Sequence, residues 1–157
     1  MHKESHKTFL PVALDITGRK IVIVGGGRVG LHKATILSRF THEATVISPA
    51  FRAGFDALPF TLVTKRYEPA DIRDAFLVYV CTEDEALNSR IKRDAEALGI
   101  LASVCDNPAL CDFISPAIFR AGDICVAVTS NARDVHRSIR IRDRIRDWAG
   151  ADGKVLE

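Results

Sequence analysis

The feature that most constrains this chain is a glycine pattern, Gly25-Gly26-Gly27-Arg28-Val29-Gly30, set directly behind the apolar run Lys20–Val24. That run is rich in β-branched residues and bounded by Gly18 and Gly25, which predicts a strand buried on both faces, as in parallel sheets. Residues 28–40 read as a helix, with Val29, Ala34, Ile36 and Leu37 available for packing. In such an order Gly25 permits a tight turn, Gly27 lets backbone approach a pyrophosphate, and Gly30 lets helix and strand pack closely. The helix N-terminus then offers its N–H groups to the phosphates. The pattern implies dinucleotide binding. Taken alone, it also fits a tight strand–helix turn that holds no ligand.

Further strands are predicted at Ala44–Ser48, stopped by Pro49, at Phe60–Thr64 and at Phe76–Cys81. Thr82 to Glu85 reads as a capping box that opens a helix over 86–98, and a fifth strand follows over 101–105. This alternation predicts an α/β fold, a Rossmann-like doubly wound parallel sheet. The rhythm then changes. Residues 113–119 and 124–130 are strand-like, with only Arg120–Asp123 between them, so a β-hairpin is expected rather than a crossover. A C-terminal Arg-rich helix over 132–148 closes the pattern. The expected organisation is a cofactor-binding domain over 9–112, a hairpin over 113–130 and a short helical tail over 131–157. At 157 residues the chain has no room for a separate full-sized substrate domain.

Charge and cysteines narrow the function further. A formal net charge of +2 marks no nucleic-acid binder. No apolar stretch approaches the ~20 residues that cross a bilayer, and no signal peptide is apparent. Cys81, Cys105, Cys111 and Cys125 form no CxxC pair, so no metal site is expected. Cys81 and Cys125 sit in apolar runs and read as buried, reduced thiols of a cytoplasmic protein.

An NAD site usually carries Asp or Glu at the end of the second strand, for the ribose hydroxyls. Here the place is taken by Ser48-Pro49-Ala50, so Ser48 or local backbone would contact the ribose, and nearby Arg52 leaves NADP open. Thr82 stands at the carboxyl end of the fourth strand, where it would face ligand, cap the next helix, or both. Asp106 stands at the same end of the fifth strand. It suits either a base near the nicotinamide or an Asx-turn before Pro108.

Taken together, residues 9–30, Lys33-Ala34, Val80–Asp84, Asn88, Val104–Pro108, Phe113–Ala117 and Gly122–Ser130 resemble the siroheme synthase N-terminal family, in order and at its spacing. Its members are precorrin-2 dehydrogenases, and some are also sirohydrochlorin ferrochelatases that take Fe2+ or Co2+. The resemblance implies NAD as cofactor even without the ribose acid, and a homodimer. It implies that Asp106 is the essential aspartate, that Arg28, Val29, Pro49, Ala50 and Thr82 surround the cofactor, and that Ser130 lies near the tetrapyrrole. The bland reading of Ser130 is a strand-end hydroxyl.

After Ser130 the chain departs from the family. Asn131–His136 replaces a Gly- and Ser-Pro-containing segment, and the helical region that follows is abbreviated. Arg133, Arg137, Arg140 and Arg144 share one face of the last helix, and forked guanidinium groups suit a substrate with eight carboxylates. The competing reading is a solvated face partly neutralised by Asp134, Asp143 and Asp147. His136 is a poor metal ligand by itself. A non-catalytic NAD-sensing module, like the regulatory domains of potassium transport systems, is the alternative function. Ser48-Pro49 and the hairpin speak against it.

Overall fold

A computed structural model of the chain describes residues 7–105 and 107–150. Two compact units divide them: Ala13–Phe113 is one, and the other joins the described residues up to Val12 with those from Ile114 onward.

In the first unit, β1 (Ile21–Val24), β2 (Ala44–Ser48), β3 (Thr61–Thr64), β4 (Leu77–Val80) and β5 (Leu101–Val104) form one sheet in the order β3-β2-β1-β4-β5. All four pairings are parallel. Helix α1 (Arg28–Leu37) follows β1 and α2 (Glu85–Ala97) follows β4. The other two crossovers are made through 3-10 turns at Phe55–Ala57 and Pro69–Ile72. Every residue of β1 is buried, because Ile21 and Ile23 pack with Ala34 and Leu37 of α1 while Val22 and Val24 point to the opposite face. β1 is flanked by β2 on one side and β4 on the other, so strand order reverses there. Sheets of this kind bind ligands outside the carboxyl ends at such a point.

Local details correct the sequence reading. Helix α1 stops at Leu37 rather than Phe40, because Arg39 N–H and Phe40 N–H bond to the carbonyls of Ile36 and Leu37, tightening the last turn. Helix α2 is capped by Asp84, whose carboxylate accepts from the Leu87 N–H at 3.0 Å, and not by a box starting at Thr82. Phe113 joins the first unit, its ring edge-on to Tyr79 at 5.3 Å, instead of opening a strand.

In the second unit, β6 (Ala117–Ala121) and β7 (Ile124–Val128) form an antiparallel hairpin. Its loop is only Gly122-Asp123, with Gly122 at φ +53°, the left-handed conformation a two-residue hairpin turn requires. Helix α3 (Val135–Ala149) packs across the hairpin. Cys125, expected to be buried, is exposed, since a two-stranded ribbon covered by one helix leaves its other face to solvent. Asn131 and Ala132 both have positive φ, at +59° and +62°. The Asn131 side chain accepts from Phe9 N–H at 2.6 Å and donates to the Lys7 carbonyl at 2.9 Å, which holds the N-terminal segment within this unit. Among the described residues no helix is long and apolar enough to cross a membrane.

Candidate functional site

Two cavities flank the glycine loop at the carboxyl ends of the strands, with volumes of about 480 and 960 Å³. Both are lined by Gly27, Arg28, Cys81, Thr82 and Glu83. The larger runs toward β2 and includes Ser48, Pro49, Ala50 and Arg52; the smaller runs toward β5 and includes Val29, Cys105 and Asn107. Two lobes meeting over one glycine loop match the shape of a molecule with two nucleoside halves joined by a pyrophosphate.

The loop itself shows whether such a molecule fits. Gly25 has φ +127°, and a Cβ there would strike the backbone of Cys81 and Thr82. Gly30 packs its Cα face on the Gly25 carbonyl. Gly27 differs, because the nearest atom to a Cβ built there is Glu83 Oε1 at 3.9 Å. Its missing side chain therefore leaves space at the mouth of both cavities, where the phosphates need to approach. Gly27 is also the N-cap of α1, with no side-chain cap bond and no acidic residue in the first turn. No side chain of the cap or of the first turn of α1 competes for those N–H groups, although the Glu83 carboxylate stands beside Gly27. The residues present fit a dinucleotide.

Gly26 was given no role from the sequence, yet it is among the most constrained. A Cβ there would collide with the Ala50 carbonyl oxygen and with Ser48 Cβ and Oγ. The Arg52 N–H also bonds to the Gly26 carbonyl at 2.8 Å, so the loop after β2 is laid directly on the glycine loop. This contact brings Ser48, Pro49 and Ala50 to the same cavity as Gly27. No carboxylate follows β2, while Arg52, Arg66 and Arg90 line that lobe. Tyr67 lines it as well. Its hydroxyl donates to Asp94 at 3.0 Å, and burial first, then that bond, pushes the phenol well above its ordinary value.

Thr82 is held by Asn88, a buried residue of α2. The threonine hydroxyl donates to Asn88 Oδ1 at 2.5 Å, and Asn88 Nδ2 returns a 2.9 Å bond to the Thr82 carbonyl. The hydroxyl also accepts from Asp84 N–H at 3.2 Å. Thr82 therefore shapes the lead into α2 and lines both cavities.

Asp106 lies outside the described residues. The segment beyond it is firmly tied: Asn107 N–H bonds to the Val104 carbonyl, and Asp112 exchanges bonds with Ala102 N–H and C=O at 3.0 and 2.8 Å. Lys92 Nζ, buried on α2, reaches both Asp112 oxygens at 2.7 Å and Glu96 at 3.0 Å. Burial is the largest single influence on Lys92 and lowers its pKa, but the hydrogen bonds to Asp112 and Glu96 together outweigh it, and the net shift is upward.

The residues expected to hold substrate belong to the second unit. Ser130 Oγ donates to the Asp134 carbonyl at 2.8 Å and accepts from Asp134 N–H at 2.9 Å, bracketing the start of α3. Asp134 is the N-cap, so Arg133 precedes the helix instead of joining its arginine face. Arg137, Arg140 and Arg144 do share an exposed face. Among the described residues the ion pairs of Asp143 and Asp147 go to Arg142 and Arg146, leaving those three guanidinium groups without an acidic partner.

Comparison with known proteins bears on the family and the fold. Residues 12–117 match the family model described as "Putative NAD(P)-binding". A siroheme synthase of Ectopseudomonas mendocina is 36% identical over 145 residues, covering 91% of this chain and 31% of that protein. One of Psychrobacter cryohalolentis is 38% identical over 127 residues, covering 78% of this chain and 24% of that protein. The chain thus spans a third or less of the length of these relatives. A solved structure, "SirC, precorrin-2 dehydrogenase", superposes with a TM-score of 0.75 at 21% identity, over 88% of this chain and 70% of that one, and shares the fold.

Proposed function

Since the chain belongs to the siroheme synthase N-terminal family, with NAD as its cofactor, we propose that it oxidises precorrin-2 to sirohydrochlorin. The observation that carries this reading is the two-lobed crevice over Gly27, with uncapped α1 amides at its centre. The dinucleotide would supply the hydride acceptor. The chain's own part is to hold the pyrophosphate on the α1 N-terminus, to seat one nucleoside against Ser48, Pro49 and Ala50, and to hold the other between Thr82 and Asn107. Asp106 is assigned as the base that takes the proton from the macrocycle, or as the group that orients the substrate for it. Ser130, Arg133, Arg137 and Arg140 are assigned to the substrate carboxylates. We further assign the chain to the cytoplasm and to a homodimer.

The test is incubation of the protein with precorrin-2 and NAD+. Sirohydrochlorin absorbance should appear together with stoichiometric NADH, and Asp106→Ala should remove both while NAD+ still binds. NAD+ binding with no turnover of precorrin-2 by the intact chain would favour the NAD-sensing alternative. Sirohydrochlorin with Fe2+ or Co2+, in the absence of NAD+, reads metal insertion separately. Light scattering after size exclusion reads the dimer.

A further inference from the structure

Adjacent parallel strands β4 and β5 run in register with Val80 opposite Val104, and the residue after each is a cysteine. The Cys105 N–H bonds to the Val80 carbonyl at 2.8 Å, which keeps the two chains side by side beyond the last ladder pair. Cys81 Sγ and Cys105 Sγ are in direct contact, and the two are not joined by a disulfide. Cys81 is buried at 5% exposure, whereas Cys105 is half-buried and both line the smaller cavity beside Thr82 and Asn107. A small solute can therefore reach Cys105, and once it has reacted there the second thiol is already in place.

We propose that Cys81 and Cys105 form a redox modification site, a dithiol that closes reversibly to a disulfide in the wall of the cavity. The oxidant class is a low-molecular-weight disulfide. The Cys105 thiolate attacks one of its sulfurs, forming a mixed disulfide and expelling one thiol. Cys81, deprotonated, then attacks the Cys105 sulfur and expels the second thiol. Two electrons pass from the cysteine pair to the oxidant, and the two cysteine protons end on the two released thiols. A small dithiol reverses both steps. Redox-active pairs of this transient kind are the sort found in reducing compartments. The site stands on the sheet geometry alone and does not depend on the proposed dehydrogenase activity.

The experiment uses the full chain. Protein reduced and then exposed to oxidised glutathione is alkylated, digested and mapped by mass spectrometry, with a dithiothreitol-treated aliquot alongside. The expected product is a peptide pair linked through Cys81 and Cys105, 2 mass units lighter than the two thiol peptides together, which reverts in the dithiothreitol aliquot; Cys125→Ser leaves it unchanged. Linkage of Cys105 to Cys111, glutathione retained on Cys105 without closure, or four alkylated cysteines after oxidation would each overturn the proposal. A second measurement follows the rate of Cys105 modification with and without saturating NAD+. Slowing by about tenfold or more places the pair under the bound dinucleotide. An unchanged rate in a protein that binds NAD+ by calorimetry overturns the placement of the pair in the dinucleotide-covered wall. Absence of any calorimetric binding instead counts against the cofactor reading and leaves the peptide map to decide the disulfide.

Discussion

The Thr82 hydroxyl stands 2.5 Å from Asn88 Oδ1, and the Asn88 amide bonds back to the Thr82 carbonyl at 2.9 Å. This reciprocal pair joins the carboxyl end of β4 to the second turn of α2, across the boundary where both cavities meet. Removing it by Asn88→Ala should cost about 1–3 kcal/mol, because the Thr82 carbonyl loses its Asn88 partner in a half-buried place and the hydroxyl keeps only its longer bonds to Asp84. NAD+ affinity should fall by roughly threefold to tenfold as the Thr82 backbone loosens. Urea denaturation and calorimetric titration of the same variant separate the two effects.

Neighbouring glycines predict opposite phenotypes. Gly27→Ala places a methyl in ordinary contact with Glu83 Oε1, at the mouth of both cavities, so thermal stability should stay within about 0.5 kcal/mol of wild type while NAD+ binding weakens by at least about tenfold. Gly26→Ala drives a methyl into the Ala50 carbonyl and Ser48, so stability itself should drop, by about 1–3 kcal/mol. Equal stability losses for the two variants would refute the assignment of distinct roles.

The Lys92–Asp112 pair predicts an alkaline limb of instability. The lysine holds its proton more tightly when folded, so its contribution is complete below the unfolded value near 10.5 and is lost as pH rises through the higher folded value. Tyr67 acts in the same direction, since its phenol ionises in the unfolded chain near 10.0 before it does so in the folded one. Denaturation midpoints should therefore decline between pH 9.5 and about 11. Tyr67→Phe should flatten part of that decline. Lys92→Met should flatten another part and lower stability at neutral pH by about 1.5–3 kcal/mol.

Ala132 occupies the left-handed region without the freedom of glycine, a strain of about 1–2 kcal/mol. Ala132→Gly should relieve it and, after the added unfolded-state entropy of glycine, raise stability by about 0.5–1 kcal/mol. Asn131→Ala should do the reverse and cost about 2–3 kcal/mol, since it also removes the bonds to Phe9 and Lys7. Differential scanning calorimetry distinguishes the signs directly.

The elements written in short stretches of sequence were legible. The run before Gly25, the glycine spacing and the apolar residues of α1 sit within twenty residues of one another, and each restricts the others through local backbone geometry. The hairpin was legible from its short connection, although its turn fell at Gly122-Asp123 because glycine supplies the positive φ there. The arginine face of α3 was legible for Arg137, Arg140 and Arg144 but not for Arg133, because Asp134 has the side chain that caps the helix and so fixes where it begins. The cap of α2 shifted for the same reason, from Thr82 to Asp84.

The sequence by itself determined the class of the sheet, the place of the glycine turn between β1 and α1 and the residues next to it, because these depend on patterns of two to four residues that the backbone reads locally. Tertiary structure alone decided that Gly26 must lack a side chain, since its neighbour is the Ala50 carbonyl brought over from the end of β2. It also decided that Asn88 holds Thr82 from the next helix, and that Cys81 meets Cys105 across 24 residues of chain. Such contacts are fixed by strand order and register, which no local spacing encodes, because they exist only once β1 has been paired between β2 and β4.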